Sequence, residues 1–457
     1  MKTSLDIFLN ELIENTGVKI NKELSVESWR HIIAKINEYF YTTYPGIGQT
    51  QALDNVFEYF SEFHKFWELY HEKIINPKID EQQCIKVGKI LNGIYLSNKK
   101  VFYDLYNTYT LAPNEICKIR YFAANQDFRG TRDFEDLFKK YSDDPTVFDI
   151  TKINKSPEDF LKNIGITSLS QSDKRIKYAV TASQILIDKK IEPYDLFDYF
   201  DKDLLKIRNF LISTQGFGNK KTDMFIRDMI VLGVWKQAKN FDKIDVASDI
   251  NTIKVALRTG IIKTSIPLVS SFLDIFCYQY GLIDKISALA WRKVWEKWNA
   301  AHPESCIESP SLMDYFVYRI IGKEFCKESL CVFQCESGEH EFKWHSGRNK
   351  TCQICKDKKA FVIKKILPCA DIDGNIVISK NEFVAGHNAV LKGITECPFA
   401  TVCESKSSNF IKLNPPKLIS ILRQTRNDDV NEMMGLVLKY PFFGDGEETG
   451  DFGIRRF

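Results

Sequence analysis

The chain has 457 residues, of which 44% are hydrophobic and 27% are charged, values typical of a folded globular protein. This length exceeds that of an ordinary single domain, so we expect two or three folding units. The 63 basic and 60 acidic residues give a net charge of +3, which excludes a globally basic chain and requires any nucleic-acid-binding surface to be local.

The first segment, residues 1–115, is predicted to be a helical region, because apolar residues recur every three or four positions. The stretches with this pattern are LDIFLNELIENTG, ESWRHIIAKINEYFYTTY and ALDNVFEYFSEFHKFWELYHEKI. Acidic residues interrupt the first apolar stretch, unlike a signal peptide, and no apolar run is long enough to span a membrane. We therefore expect a cytoplasmic, nucleoid-associated or otherwise intracellular protein that is not secreted and has no membrane partner.

The second segment, residues 116–300, continues the helical pattern through IRYFAANQDF, YAVTASQILIDKK and DLLKIRNFLIST. The turn signals NIGITSLSQ and TQGFGNKK separate these helices. After the proline-containing stretch NAAHPESCIESP, residues 301–403 are rich in cysteine and contain short alternating stretches, HEFKWH and AFVIKKILP. The tail, residues 404–457, contains one predicted helix, KLISILRQTRNDDVNEMMGLVLK.

A glycine-rich turn lies between two of the predicted helices, at Gly216-Phe217-Gly218, and Asn219 and Lys220 follow it. Two glycines in a tight turn let backbone amides approach a phosphate, and the next helix adds the positive end of its dipole. The pattern predicts a helix-hairpin-helix that grips one DNA strand without reading its sequence. An ordinary turn between helices is the alternative.

The segment around this turn resembles the helix-hairpin-helix DNA glycosylase superfamily, which contains endonuclease III and 8-oxoguanine DNA glycosylase. The family pattern Gly-hydrophobic-Gly-x-Lys matches residues 216–220, and its aspartate at the start of a later helix matches Asp249. YFAANQDFRG is similar to the family helix that ends in an inserted Gln or Asn, here Gln126 or Asn125. The resemblance covers residues 116–285 and implies a mainly α fold, with a glycosylase core over residues 116–300.

The resemblance also implies a reaction, the removal of a damaged or modified base from double-stranded DNA. The enzyme flips the nucleotide out of the duplex, and a side chain such as Gln126 fills the gap. Lys220 is then the nucleophile that forms a Schiff base with the sugar, and Asp249 is its carboxylate partner. A bifunctional DNA glycosylase and AP lyase is expected, with an oxidised base as the first substrate guess. The expected DNA-binding residues are Gln126, Asn125, Gly216, Phe217, Gly218, Asn219 and Lys221.

Other assignments remain open for the lysine and the aspartate. Lys221 is the functional lysine if the register shifts by one, Asp249 serves as a helix N-cap in the simplest interpretation, and Asp245 is a competing carboxylate. The 28 residues between Lys220 and Asp249 make a longer connection than in endonuclease III, so VWKQAKNFDK is expected to form an extra turn or loop. A histidine that often follows the family aspartate is replaced by Asn251.

Eight of the 12 cysteines lie between positions 326 and 403, which in a reducing compartment favours metal ligands over disulfides. The Cys397-x5-Cys403 spacing resembles the end of the iron-sulfur loop of several such glycosylases, and IGKEFC, which ends at Cys326, resembles its start. We therefore expect a [4Fe-4S] cluster with four ligands, Cys326, Cys369, Cys397 and Cys403.

The remaining cysteines of this region have the two-pair spacing of a zinc ribbon or knuckle, which predicts a structural Zn²⁺ site. Its expected ligands are Cys331, Cys335, Cys352 and Cys355, with His340 and His345 as alternatives. Residues 343–365 carry eight basic side chains and one acid, interleaved with Trp344 and Phe361. This pattern suits contact with phosphates or stacking on a base, and an ordinary solvated surface is the alternative.

Two other functions remain open at this point. A non-catalytic DNA-structure-binding protein would need the hairpin and the metal modules but no reactive lysine. A nuclease or RNA-processing protein would use the zinc module as its main nucleic-acid contact.

Overall fold

The computed structural model describes residues 45–52, 55–61, 76–105, 111–127, 134–166, 172–263, 280–326, 329–334, 341–344, 362–368, 392–394, 396–403 and 423–424. These residues are mainly helical, as predicted. Their α-helices, numbered in chain order, are α1 (Glu81–Asn98), α2 (Pro113–Asn125), α3 (Phe134–Asp143), α4 (Ile150–Lys155), α5 (Pro157–Asn163), α6 (Ser172–Lys189), α7 (Leu196–Tyr199), α8 (Leu204–Ile212), α9 (Asn219–Val231), α10 (Ile250–Arg258), α11 (Tyr280–Ala301) and α12 (Met313–Tyr315). A π-helix, Phe316–Phe325, follows α12 directly.

The strands form three small sheets, all with antiparallel pairing. They are β1 (Pro45–Ala52), β2 (Asn55–Ser61), β3 (Lys78–Ile79), β4 (Ile262–Lys263), β5 (Ser329–Gln334), β6 (Glu341–Trp344), β7 (Val362–Pro368) and β8 (Arg423–Gln424). The sheet orders are β1-β2-β8, β3-β4 and β6-β5-β7. The last sheet contains the two alternating stretches noted in the cysteine-rich region.

The chain divides into two compact units, and both are discontinuous in sequence. One contains residues 84–252 and 288–319. The other contains the described residues before 84, from 253 to 287 and after 319. These units cross the boundaries expected at residues 115 and 300.

Helix α2 forms the centre of the core in the unit of residues 84–252 and 288–319. Pro113 occupies the first turn, where its missing N–H costs nothing, and the Glu115 side chain accepts a hydrogen bond from the Ala112 amide at 2.7 Å. Tyr121 and Phe122 are fully buried and lie 5–6 Å, centroid to centroid, from rings of neighbouring elements. Aromatic packing of this kind contributes beyond its buried area.

A buried ionic network joins α2 to α9. The Asp228 carboxylate on α9 accepts hydrogen bonds from Arg120 of α2, with Nε at 2.6 Å, and from Arg227, with Nε at 2.8 Å. Arg227 also pairs with Asp314 of α12. The Arg120 and Asp228 side chains are fully buried, so each charge depends on its partners for the solvation that water no longer provides.

The insertion VWKQAKNFDK folds back as an irregular turn after α9. The Trp235 side chain is buried and stacks on Phe197 with 5.3 Å between ring centroids and 6° between ring planes. Lys239 forms a parallel bridge with Asp203, just before α8. The longer connection is therefore an anchored loop of this unit.

Two sequence predictions are wrong in detail. Residues 55–61, predicted as part of a helix, form strand β2, and residues 423–424 within the predicted C-terminal helix form strand β8. The sequence NVFEYFS contains one valine and three aromatic residues, which suit a pleated strand, and the pairing with β1 decides between the helical and the alternating pattern. The other N-terminal helices predicted before residue 45 lie outside the described residues.

Within the described ranges, none of the helices is both long and apolar enough to cross a membrane.

We predict that Asp228→Asn lowers the free energy of unfolding by about 3–5 kcal/mol, because it leaves the buried Arg120 guanidinium without a carboxylate. Arg227, in contrast, keeps its ion pair with Asp314. Chemical denaturation monitored by circular dichroism measures the change. Asp201→Asn is the matched control, since Asp201 pairs with Lys206 in a largely exposed ion pair whose loss has little effect. An equal effect of the two substitutions would contradict the importance of the buried network.

Candidate functional site

The predicted glycine-rich turn lies between α8 and α9, and its helix-hairpin-helix assignment stays a prediction. Phe217 is 5% exposed and packs against Tyr121 with 5.0 Å between ring centroids, so its side chain anchors the turn from beneath and is not available on the surface. Arg208 of α8 pairs with Asp223 of α9, which ties the two helices together. The Gly-hydrophobic-Gly pattern therefore has a structural basis in the hydrophobic anchor.

The two glycines of the hairpin differ in what surrounds them. Gly216 has a φ of +90°, and a Cβ atom there would lie 2.8 Å from the Tyr178 ring. Gly218 is the N-cap of α9, and a Cβ atom there would meet nothing within 4 Å. Gly216 is thus required by the fold, whereas Gly218 borders open space at the N-terminus of α9, a position at which helix backbone amides can bind an anion.

The Lys221 amine lies against the hairpin and the end of α2. Its Nζ donates hydrogen bonds to the Asn125 carbonyl at 2.8 Å and to the Gly216 carbonyl at 2.9 Å. The amine also lies 5.5 Å from the centroid of the Tyr178 ring. These contacts place the amine at the junction of α2, α6 and α9.

The pKa of Lys221 is lowered to about 8. Burial of the amine is the largest cause; the Asp127 carboxylate raises the pKa, and the positive charges of Lys220 and Arg175 lower it further. Removal from water disfavours the charged form of an amine. A lysine with this pKa is neutral at pH 7 in about a tenth of the molecules, a fraction several hundredfold larger than for an ordinary lysine.

Lys220, the lysine assigned by the family pattern, lies on the same first turn of α9, and both lysines are partly exposed as whole residues. Successive helical residues point about 100° apart, so the two amines face different surroundings. Lys221 is the one whose amine contacts the hairpin and α2. Lys221, the alternative to Lys220 that the sequence left open, therefore has the better geometry for a desolvated lysine.

The predicted DNA wedge residues are buried. Asn125 is 0% exposed and donates to the Gln215 carbonyl at 3.2 Å, and Gln126 is 1% exposed and donates to Asn125 Oδ1 at 2.8 Å. Gln126 Nε2 also donates to the Arg175 carbonyl, and Arg175 Nη1 donates to the Gln126 carbonyl. Insertion into DNA would require either side chain to leave these bonds, so the wedge role stays a prediction.

Asp249 has the geometry of a helix N-cap. Its Oδ1 accepts hydrogen bonds from the amides of Asn251 at 2.8 Å and Thr252 at 2.9 Å, and its own amide donates to Thr252 Oγ1 at 2.8 Å. The capping interpretation of this residue is therefore satisfied, and the pairing of its carboxylate with a lysine stays a prediction. The competing carboxylate, Asp245, forms an ion pair with Arg292 at 2.7 Å.

Sequence reasoning missed Asp127, Arg175 and Tyr178, which all influence Lys221. Arg175 and Tyr178 are three residues apart on α6, so they share one face of that helix. Neither belongs to a motif, and their proximity to α9 depends on tertiary packing. Asp127 directly follows Gln126, and its position beside the wedge candidates was the one available signal.

Three of the predicted iron-sulfur ligands come together in the second unit. The pKa of Cys397 is raised to about 12, chiefly by burial and then by the nearby Cys326 and Cys403 side chains. The segment of residues 396–403 is a compact turn in which the Cys403 amide donates to the Phe399 carbonyl at 2.8 Å, and Phe399 is buried.

Among the described residues, no three His, Cys, Asp or Glu side chains form a group that could hold a metal ion. Cys326, Cys397 and Cys403 therefore do not form a single-ion site, and the [4Fe-4S] assignment stays a prediction.

Most of the predicted zinc site lies outside the described residues, as does one iron-sulfur ligand. Cys331 belongs to β5, opposite Trp344 of β6 and Ile366 of β7. In β5 and β7, Ser329 pairs with Pro368. The predicted residues outside the described ranges are Cys335, Cys352, Cys355, Cys369, His340 and His345.

No protein-family model matches the sequence, and no curated protein is significantly similar to it.

Proposed function

We propose that the protein is a DNA glycosylase with AP lyase activity, and that Lys221 is its nucleophile. The observation that carries the proposal is the position of the Lys221 amine, which is desolvated at the foot of a Gly-Phe-Gly hairpin, on the first turn of the following helix. A neutral amine has two N–H groups and one lone pair. The carbonyls of Asn125 and Gly216 can accept both N–H groups, while the lone pair attacks.

In the proposed reaction the Lys221 nitrogen forms a bond to C1′ of the flipped nucleotide. The bond from C1′ to the base breaks, and the base leaves with the electron pair and takes up a proton. The sugar ring then opens to an iminium, the Schiff base from which the 3′ phosphate can be eliminated. Asp249 remains the proposed carboxylate that stabilises the cationic sugar, and an oxidised base remains the first substrate to test.

The proposed cofactors are a [4Fe-4S] cluster held by Cys326, Cys369, Cys397 and Cys403 and a Zn²⁺ ion held by Cys331, Cys335, Cys352 and Cys355. The cluster would fix the fold of the segment that its ligands join. The zinc module would present the basic residues between 343 and 365 to the DNA backbone.

A second candidate is a DNA-binding protein without catalysis. The two hydrogen bonds of the Lys221 amine favour it, because a lysine that ties a hairpin to the end of α2 has a sufficient structural role. The hairpin would then bind duplex DNA, and no covalent intermediate would form.

Borohydride trapping on duplexes that carry an abasic site, 8-oxoguanine, thymine glycol or uracil separates the two candidates. We expect an adduct with the wild type and with Lys220→Met, and none with Lys221→Met, because only the buried amine is nucleophilic. Circular dichroism must show that both variants are folded. If Lys220→Met loses the adduct and Lys221→Met retains it, Lys220 is the nucleophile, as the family pattern implies. If no duplex gives an adduct, the non-catalytic DNA-binding protein is the remaining candidate.

The trapping rate should also depend on pH. The neutral amine is the reactive form, so the rate should rise as the pH increases through about 8, the pKa of Lys221, and level off above it. Single-turnover trapping between pH 6 and 10 measures this profile. A rate that continues to increase up to pH 10 would indicate an ordinary, solvated lysine.

The hairpin is tested by comparison of Gly218→Ala with Gly216→Ala. The Gly218 methyl group would enter open space, so folding should not change, but it would obstruct a phosphate at the α9 N-terminus and weaken DNA binding about tenfold. Gly216→Ala should instead lower the melting temperature, because its backbone conformation is strained for alanine and Tyr178 blocks the methyl group. Undiminished DNA affinity in Gly218→Ala would show that the hairpin is not the DNA contact.

A further inference from the structure

An arginine lies among the cysteines of the second unit. Arg258, the last residue of α10, is 4% exposed, and its Nη1 donates a hydrogen bond to Cys326 Sγ at 3.1 Å. Its charge also acts on Cys397. No motif in the sequence pointed to this residue, which follows the predicted catalytic aspartate by nine positions.

The backbone around Cys326 holds its sulfur at this position. Phe316–Phe325 is a π-helix, and the Cys326 amide continues its pattern with a hydrogen bond to the Ile321 carbonyl at 2.7 Å. π-helical turns are rare and often occur at functional sites, because the extra residue per turn redirects the side chains that follow.

The guanidinium group offers this sulfur two effects. An N–H···S hydrogen bond withdraws electron density from a ligating thiolate, and the buried positive charge compensates the negative charge that four thiolates bring to an iron-sulfur cluster. An arginine remains charged under these conditions, unlike a buried lysine. Removal of the Arg258 guanidinium would therefore favour the oxidised, less negative cluster. It would also make the bond between iron and the Cys326 sulfur easier to break.

We propose that Arg258 is a positioning residue for the cysteine-held cluster, which it retains and tunes through its hydrogen bond to Cys326. The inference rests on the cluster assignment in the proposed function, but not on the lysine chemistry. It deepens that assignment by naming the group outside the ligand set that controls the cluster.

The experiment uses the full chain, purified without oxygen, as wild type, Arg258→Met, Arg258→Lys and Lys254→Met. Lys254 is the matched control, because it is a second buried cation (8% exposed) on the preceding turn of the same helix. Iron and sulfide per chain, the rate of iron loss to a chelator and the reduction potential of the remaining cluster are measured.

We expect Arg258→Met to lose iron about 10–100-fold faster than the wild type and to have a more negative reduction potential. Arg258→Lys should lie between the two, because it keeps the charge but not the planar fork, and Lys254→Met should resemble the wild type. Equal behaviour of Arg258→Met and Lys254→Met would overturn the inference, as would a wild-type protein without iron and sulfide.

Borohydride trapping on abasic DNA with the same preparations distinguishes the two levels of the proposal. An Arg258 effect on the cluster without any adduct would leave the inference standing and remove the lysine mechanism. An adduct from a protein that contains no cluster would do the reverse.

Discussion

The placement of the candidate lysine depends on the buried carboxylate of Asp228. Arg120 lies five residues before Asn125 on α2, and Asp228 lies seven residues after Lys221 on α9, so their ion pair fixes the distance and rotation of one helix against the other. In that arrangement the Lys221 amine donates to the carbonyl of Asn125 at 2.8 Å. Desolvation makes such a network a weak source of net stability, but an unpaired member is costly, and this cost disfavours helix packings that separate the partners. The network thus contributes specificity of packing where the site needs it.

The sequence was sufficient to predict the helices around this site and the turn between α8 and α9. Apolar periodicity located α2, α6, α8 and α9, and two glycines around one phenylalanine marked the turn. It could not choose between Lys220 and Lys221, because both follow the glycines and their difference is a rotation of about 100° around α9. That rotation is set by Phe217 against Tyr121 and by the Asp228 network, which are tertiary contacts.

Contacts between elements that are distant in sequence could not be predicted from local sequence patterns. The burial of Gln126 follows from its reciprocal hydrogen bonds with Arg175, 49 residues later in the chain, and no spacing rule relates the two. Strand β2 shows a second limit, since an aromatic-rich segment satisfies both helical and alternating patterns until a partner strand selects one. Arg258 illustrates a third, because a donor to a cysteine sulfur carries no signature in its own helix.

The two roles considered for Lys221 make opposite demands on its charge. A lysine that only tied the hairpin to α2 would be most effective when charged, because charged donors form the stronger hydrogen bonds to carbonyls. Its surroundings act against that charge, since burial and the cations of Lys220 and Arg175 outweigh the Asp127 carboxylate. The same shift provides the neutral amine that attack on a sugar requires. The lowered pKa of Lys221 therefore favours the proposed nucleophilic role over a purely structural one.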